Sequence, residues 1–174
     1  MLLDEAYIHL CDETPCSDLV AMDKDLIVLR SFSKLYGMAG LRAGAALARP
    51  DLLERLAKFG VGYLPITGMA AATASLKVKT LVPERRRIVR EIREDVIAFL
   101  EKNNISFIPS VSNCFMLDAK VPARRLTRAM QKEKVYIGRV WPAMPTCARV
   151  TIGTREEMAK FKTALLKVMA QLQA

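Results

Sequence analysis

The sequence predicts an α/β chain in which part of a mostly parallel sheet is followed by a small α+β module. Short apolar runs typical of buried strands alternate with helical patterns over residues 1–79. One long helical pattern spans residues 80–104, and short strand and helix patterns follow each other closely over residues 105–174. We therefore expect part of a large domain, then a connecting helix, then a small C-terminal domain.

The first segment begins with residues 2–7, which predict the end of a strand that leads into a loop. Only a start methionine precedes this strand, so we expect upstream sequence to be missing. Residues 26–29 are apolar and partly β-branched, which favours a strand buried on both faces of a parallel sheet. After a loop that contains Gly37 and Gly40, the small residues at 43–48 predict another strand.

Helical patterns come next along the chain. A short helix is predicted from Pro50 to near Gly60, and small residues predict a second helix over residues 66–79. A longer helix is predicted from Pro83 to about residue 102, with an apolar stripe at helical spacing. The members of that stripe are Ile88, Ile92, Val96, Phe99 and Leu100.

The last segment mixes short strands with two helices. The predicted strands are residues 106–108, 114–117, 135–137 and 149–152, and the first predicted helix is residues 122–132. Thr154 and Glu157 have the spacing of a capping box, which marks the start of the last helix. Its expected inward-facing residues are Met158, Phe161, Leu165, Val168 and Leu172.

The formal net charge of +9 indicates an anionic partner, with nucleic acid, an acidic membrane and a phosphorylated small molecule as the alternatives. Much of the excess lies in residues 84–94, where Arg87 and Glu91 have the spacing of an ion pair on a solvated helix face. No apolar run approaches the roughly 20 residues of a membrane span, and no secretory signal is recognisable, which together indicate a cytoplasmic protein. The four cysteines lack metal-ligand spacing, so no metal site is expected.

A group of reactive side chains follows a predicted strand. Residues 31–34 combine two serine hydroxyls with the amine of Lys34 at the carboxyl end of that strand, where ligands of α/β sheets bind. Arg42 follows in a glycine-containing loop, and Asp4 and Tyr7 flank the same expected crevice. A lysine amine forms a Schiff base with an aldehyde, while hydroxyls and a guanidinium bind a phosphate dianion. The set therefore predicts a site for a phosphorylated aldehyde.

Two motifs, DEAY at residues 4–7 and RSFSKLYGMAGLRAG at residues 30–44, resemble the histidinol-phosphate aminotransferase family. That family belongs to the class I/II aminotransferases of fold type I, which use pyridoxal 5'-phosphate (PLP). The resemblance implies a partial PLP-transferase fold of type I, in which residues 1–79 are part of the large PLP-binding domain. It also implies transfer of an amino group between an amino acid or histidinol phosphate and a 2-oxo acid, as part of amino-acid biosynthesis.

The resemblance implies a role for each matching residue. Asp4 would pair with the pyridine nitrogen of PLP, and Tyr7 with its ring oxygen. Lys34 would be the Schiff-base lysine and, once released, the general base and acid of the reaction. Arg149, within the motif ARVTIGT, matches the arginine that binds the substrate α-carboxylate. The implied ligands of the cofactor phosphate are Ser31, Ser33 and Arg42.

Members of the family normally have an upstream half of comparable length. It supplies a glycine-rich phosphate turn, an aromatic residue that stacks on the cofactor and an asparagine near the cofactor oxygen. None of these is found in this sequence, so we expect weak or no turnover from this chain alone. The family's sites usually lie at a homodimer interface, which makes a homodimer the expected assembly. The expected partners are small amino acids and 2-oxo acids, and neither nucleic acid nor a membrane.

Three alternatives remain open at this point. A related PLP-dependent amino-acid phosphate decarboxylase would share the cofactor residues. A truncated chain that has lost half of its pocket would instead be a catalytically silent interaction module. Nucleic-acid binding through residues 84–94 rests on charge alone, without the aromatic stacking platform typical of such proteins.

Overall fold

A computed structural model describes residues 1–60 and 62–173 of the chain. The chain divides into two compact units, Met1–Arg86 and the residues from Arg87 onward. No helix in these described ranges is both long and apolar enough to cross a membrane.

The helices and strands lie in the following order. The first unit holds β1 (Leu2–Asp4), α1 (Ser17–Ala21), β2 (Ile27–Ser31), β3 (Gly44–Leu47), α2 (Pro50–Ala57) and α3 (Ile66–Leu76). Helix α4 (Leu81–Lys102) contains the boundary between the units. The second unit holds β4 (Phe107–Ile108), β5 (Cys114–Asp118), α5 (Ala123–Lys132), β6 (Val140–Trp141), β7 (Met144–Thr151) and α6 (Arg155–Gln173).

The sheet of the first unit has the order β1-β2-β3. Strands β1 and β2 are parallel, with Asp4 opposite Leu29, so their carboxyl ends lie at one edge of the sheet. Strand β3 is antiparallel to β2, and Gly44 at its start lies opposite Ser31 at the end of β2. The sheet is therefore mixed, with one parallel and one antiparallel pair, and it brings the two motif segments to a common edge.

Strand β2 is less buried than its apolar sequence predicts. Val28 is fully buried, but Ile27 and Leu29 on either side of it remain partly exposed. The expectation that this strand is covered on both faces is therefore only partly met. Leu26 and Phe32, which flank the strand in sequence, are also buried.

The second unit has an antiparallel sheet of order β4-β5-β7-β6. Helices α4, α5 and α6 supply the rest of one continuous apolar core, to which Leu100, Leu126 and Leu165 contribute fully buried side chains. The predicted capping box is confirmed, because Glu157 N donates to Thr154 Oγ1 at 3.2 Å and Thr154 N donates to Glu157 Oε2 at 2.7 Å.

Two details of the prediction are wrong. Residues 135–137 form no strand in the structure, although Val135 and Ile137 pack against the core while Tyr136 is exposed. The alternation that suggested a strand belongs to a connection without strand pairing, and backbone hydrogen bonds to β7 begin at Gly138, whose N donates to Arg149 O at 3.1 Å. Ile88 is 43% exposed, whereas the next residue, Val89, packs against the core of the second unit, so Ile88 lies outside the buried side of α4.

Candidate functional site

The segment that carries Lys34 is a closed loop at the end of β2. Phe32 N donates to Ala43 O at 3.2 Å, and Met38 N donates to Phe32 O at 3.0 Å. Gly37 N donates to Lys34 O at 3.0 Å, and Gly37 has φ +71°, a left-handed conformation that glycine adopts without steric cost. These bonds fix the backbone on both sides of the lysine.

Buried side chains and one arginine also stabilise this loop. The rings of Phe32 and Tyr36 pack with their centroids 4.8 Å apart, and Leu35 between them in sequence is also buried. Arg85 Nη1, from the first turns of α4, donates to Leu35 O at 3.1 Å. Phe32, Leu35 and Tyr36 are thus buried, whereas Lys34 is only partly buried.

The amine of Lys34 lies 5.0 Å from the centroid of the Tyr7 ring. This is a cation–π distance, at which the face of the ring attracts a lysine side chain. Within residues 1–60 and 62–173, Lys34 forms no ion pair and no side-chain hydrogen bond. Two of the predicted site residues are thus brought together, and the amine is left available for reaction.

Asp4 ends β1 at the same edge of the sheet. Its Oδ1 accepts a hydrogen bond from Ala6 N at 2.9 Å, which stabilises the turn that follows the strand. The carboxylate is exposed. Its second oxygen is therefore accessible to a cationic partner such as a protonated ring nitrogen.

The predicted phosphate ligands also lie at this edge. Ser31 Oγ accepts a hydrogen bond from Ser33 N at 3.1 Å. Arg42 lies two residues before Gly44 in the left-handed region (φ +53°), which is uncommon for residues other than glycine and is often found at functional positions. Its Nη1 donates to Ala39 O at 2.7 Å, which holds one edge of the guanidinium and leaves the others exposed. Hydroxyls and an exposed guanidinium suit a phosphate dianion.

Arg149 belongs to the second unit, where it lies in β7. It lines a cavity of about 360 Å³ together with Lys134, Tyr136 and Lys160. Its Nε is buried and has no hydrogen-bond partner in the described part of the chain. A buried donor without a partner costs free energy, and a carboxylate in this cavity would remove that cost.

Sequence reasoning missed an ion pair beneath the site. Glu5 and Arg30 stand inside the two recognised motifs, yet the spacing of charges along the chain gave no sign that they meet. Arg30 Nη2 lies 2.6 Å from Glu5 Oε2, and Glu5 is one of the few charged side chains that are buried. Only the parallel pairing of β1 and β2 reveals this contact.

His9 lies beside this ion pair in a short 3-10 turn, Ile8–Leu10. Its ring meets the ring of Tyr36 edge to face, with centroids 5.6 Å apart. Burial lowers the pKa of His9 below its ordinary value, and the nearby Arg30 and Arg86 lower it further. His9 is therefore a partly buried neutral side chain and a support of the loop.

Comparison with known proteins gives consistent results. The family model for aminotransferase class I and II matches residues 1–165. Histidinol-phosphate aminotransferase 2 of Haemophilus influenzae is 37% identical, over 97% of this chain and 48% of its own length. The chain thus spans about half the length of the curated relatives it matches.

Solved structures show the same partial coverage. The histidinol-phosphate aminotransferase of Sinorhizobium meliloti, solved in complex with pyridoxal-5'-phosphate, matches with a TM-score of 0.84 and 25% identity, over 98% of this chain and 49% of that one. The histidinol-phosphate aminotransferase of Clostridium acetobutylicum matches with a TM-score of 0.86 and 19% identity, over 98% of this chain and 54% of that one. The predicted fold, a partial PLP-transferase fold of type I, is confirmed.

Proposed function

The chain belongs to the aminotransferase class I and II family, and we propose that it is the C-terminal portion of a PLP-dependent aminotransferase. The observation that carries the proposal is the unpaired Lys34 amine, which lies against the Tyr7 ring at the edge that also bears Asp4. The relatives are histidinol-phosphate aminotransferases, so we propose histidinol phosphate or an amino acid as donor and a 2-oxo acid as acceptor.

The donor set at the sheet edge fits PLP. Lys34 would bond to the cofactor aldehyde, Asp4 would pair with the pyridine nitrogen and Tyr7 with the ring oxygen. The cofactor phosphate would bind to Ser31, Ser33 and Arg42. When bound, PLP supplies an electron sink that stabilises negative charge at the substrate α-carbon.

The chain's own residues have separate tasks in this proposal. Asp4 would pair with the ring nitrogen of the cofactor and favour its protonated form. Lys34, with no ion pair to hold it, would act as the general base that removes the proton from the substrate α-carbon and as the general acid that returns it to the aldehyde carbon of the cofactor. Arg149 binds the substrate carboxylate through its planar guanidinium, for which its buried and unpartnered Nε is the supporting observation.

We also propose the domain division implied by the family resemblance, with residues 1–79 in the PLP-binding domain, 80–104 as a connecting helix and 105–174 as the small domain. A homodimer and a cytoplasmic location are part of the same proposal. Sedimentation of the purified chain tests the homodimer, and a purely monomeric chain at micromolar concentration would contradict it.

A PLP titration of the full chain, followed by absorbance, tests the proposal. The wild type is expected to show a saturable change, and Lys34→Ala is expected to weaken binding at least about tenfold, or about 1.4 kcal/mol. Lys24→Ala is the matched control, because Lys24 is an exposed lysine of the same unit. Equal binding by Lys34→Ala would favour the catalytically silent module.

A second experiment separates the aminotransferase from the related decarboxylase. With glutamate as donor, an aminotransferase would convert bound cofactor to its amine form, whereas a decarboxylase would release carbon dioxide from the α-carboxylate. Histidinol phosphate has no carboxylate, so it tests amino transfer alone. Arg149→Lys is expected to weaken binding of the carboxylate-bearing donor, glutamate, by about 1–3 kcal/mol. The reason is that one point charge replaces a planar guanidinium. Arg125→Lys, an exposed arginine of the same unit, is expected to have no effect.

A further inference from the structure

Glu5, the residue after Asp4, is only 6% exposed. It is one of two charged residues that are buried in the part of the chain that the structure describes, together with Arg93. Carboxylates are seldom buried unless they are paired, because transfer out of water is costly. The burial of Glu5 therefore calls for an explanation that its exposed neighbour Asp4 does not need.

The two oxygens of Glu5 bind two other segments of the first unit. Oε2 accepts a hydrogen bond from Arg30 Nε at 2.6 Å, and Arg30 Nη2 lies 2.6 Å from the same oxygen. Oε1 accepts a hydrogen bond from Cys16 N at 2.6 Å, just before helix α1. One carboxylate thus joins the end of β1, the end of β2 and the start of α1.

Stability alone does not account for this pair. The attraction within a buried ion pair is largely offset by the cost of removing both charges from water, so apolar replacements are often equally stable. A buried ion pair does, however, select one arrangement of the chain over alternatives that would leave either charge unpaired. The pair is therefore better suited to fixing a register than to adding stability.

The register of β1 and β2 determines where the site residues point. Glu5 N donates to Leu29 O at 2.9 Å, which continues the ladder of the two parallel strands beyond Asp4. Because successive side chains in an extended chain point to opposite faces, Asp4 lies on the face opposite Glu5, and Ser31 on the face opposite Arg30. A slip of one strand by one residue would move its side chains to the other face, so Asp4 and Ser31 would no longer share a face. The ion pair on one face thus fixes Asp4 and Ser31 on the other.

We propose that Glu5 and Arg30 are positioning residues that hold Asp4 and the loop of Ser31 to Lys34 on a common face of the sheet. The proposal rests on the proposed function, because it assigns to the pair the alignment of residues that would hold the cofactor. It adds two residues that act through their neighbours and do not themselves touch the cofactor.

Hydrogen exchange of the full chain without cofactor tests the positioning directly. Glu5→Gln and Arg30→Gln are each expected to raise amide exchange over residues 31–38 by about tenfold, as expected for loss of one charge-assisted contact. The double variant is expected to match either single variant, since both changes remove one interaction. Glu13→Gln is the matched control, because Glu13 is exposed and forms no ion pair in the described residues. Unchanged exchange in both single variants would overturn the proposal.

A second readout concerns Lys34 itself. The ratio of Lys34 to Lys24 labelled by PLP and borohydride is expected to fall about tenfold in Glu5→Gln, relative to the wild type. Arg30→Lys, which retains the cation, is expected to recover part of that loss and serves where a neutral variant does not fold. Val28→Ala creates a cavity in the same strand and is expected to lower stability without changing the ratio.

The outcomes are distinguishable. An equal fall of the labelling ratio in Val28→Ala, measured on folded protein, would assign Glu5 a purely structural role and overturn the proposal. If the wild type labels Lys34 no faster than Lys24, the proposed function fails. The exchange experiment then still decides whether the ion pair holds the loop.

Discussion

The two units of the chain differ in how completely they bury their apolar side chains. The second unit encloses one continuous core, formed by its antiparallel sheet with α4, α5 and α6. The first unit has a smaller buried set and leaves Phe59, Tyr63 and Ile66 almost entirely exposed around the start of α3. The residues proposed to bind PLP nevertheless lie in this first, less self-sufficient unit.

The difference suggests how the two units divide their tasks. Large exposed apolar patches on folded proteins usually mark surfaces that pack against other protein. The first unit therefore carries the proposed cofactor residues although it leaves several of its large apolar side chains exposed. The second unit, whose core is closed, carries Arg149 on a stable sheet. Four experiments test this contrast, from the largest expected effect to the smallest.

Separating the units is expected to have the largest effect. A fragment of residues 81–174 contains all of α4 and the closed core, so we expect a cooperative urea transition, followed by circular dichroism. A fragment of residues 1–102 also retains α4 but lacks such a core, and we expect a broad transition without a clear baseline. Equally cooperative unfolding of both fragments would contradict the contrast.

Two neighbouring leucines of α6 test the core of the second unit. Leu165 is fully buried, whereas Leu166 is 42% exposed. Leu165→Ala is expected to lower the free energy of unfolding by about 2–5 kcal/mol, because it leaves a cavity. Leu166→Ala is the matched control and is expected to cost less than about 1 kcal/mol. Urea denaturation measures both. Similar losses of stability in the two variants would contradict the assignment of Leu165, and not Leu166, to the buried side of α6.

A glycine in α3 tests the packing of the first unit. A Cβ at Gly68 would overlap with Leu41 O, next to Arg42, whereas a Cβ at Gly40 meets nothing within 4 Å. Gly68→Ala is expected to destabilise by about 1–3 kcal/mol, because the helix must move away from the loop. Gly40→Ala should be close to neutral. If thermal unfolding shows Gly68→Ala to be stabilising, α3 does not pack on this loop as described.

The pH dependence of the first unit is the smallest expected effect. Since the folded pKa of His9 lies below its ordinary value of 6.5, the unfolded chain binds the proton more readily. The stability contributed by neutral His9 is therefore present above about pH 6.5 and is lost as the pH falls through 6.5 towards the folded pKa. His9→Gln is expected to reduce the change of the urea midpoint with pH across this window. If the urea midpoint of His9→Gln changes with pH as steeply as that of the wild type, His9 does not contribute to the pH dependence of stability.

Much of the fold could be predicted because local patterns agree with the final packing. The helical spacing of Ile92, Val96 and Leu100 correctly identified the buried side of α4, and the capping box placed the start of α6. Ile88 was wrong because a stripe read at helical spacing drifts around the helix, and at this end of α4 the residue that packs against the core is Val89. Residues 135–137 were wrong because alternation also arises in a connection that packs without strand pairing.

The candidate site could be predicted only in part. The reactive residues are recognisable because Lys34, Arg42 and their neighbours form a compact motif. The pair of Glu5 and Arg30 was missed because their contact depends on the pairing of two strands that are distant in sequence. Charge partners of this kind become visible only with the register of the sheet, which the sequence does not specify by itself.

The central claim is that Lys34 is the lysine that bonds to PLP, and locating a borohydride-reduced adduct by peptide mass spectrometry tests it most directly. We predict that the full chain, mixed with about one equivalent of PLP, carries the pyridoxyl group predominantly on Lys34, and that Lys34→Arg carries none above the level of the exposed lysines. Labels spread among surface lysines, with Lys34 modified no more than Lys24, would contradict the account.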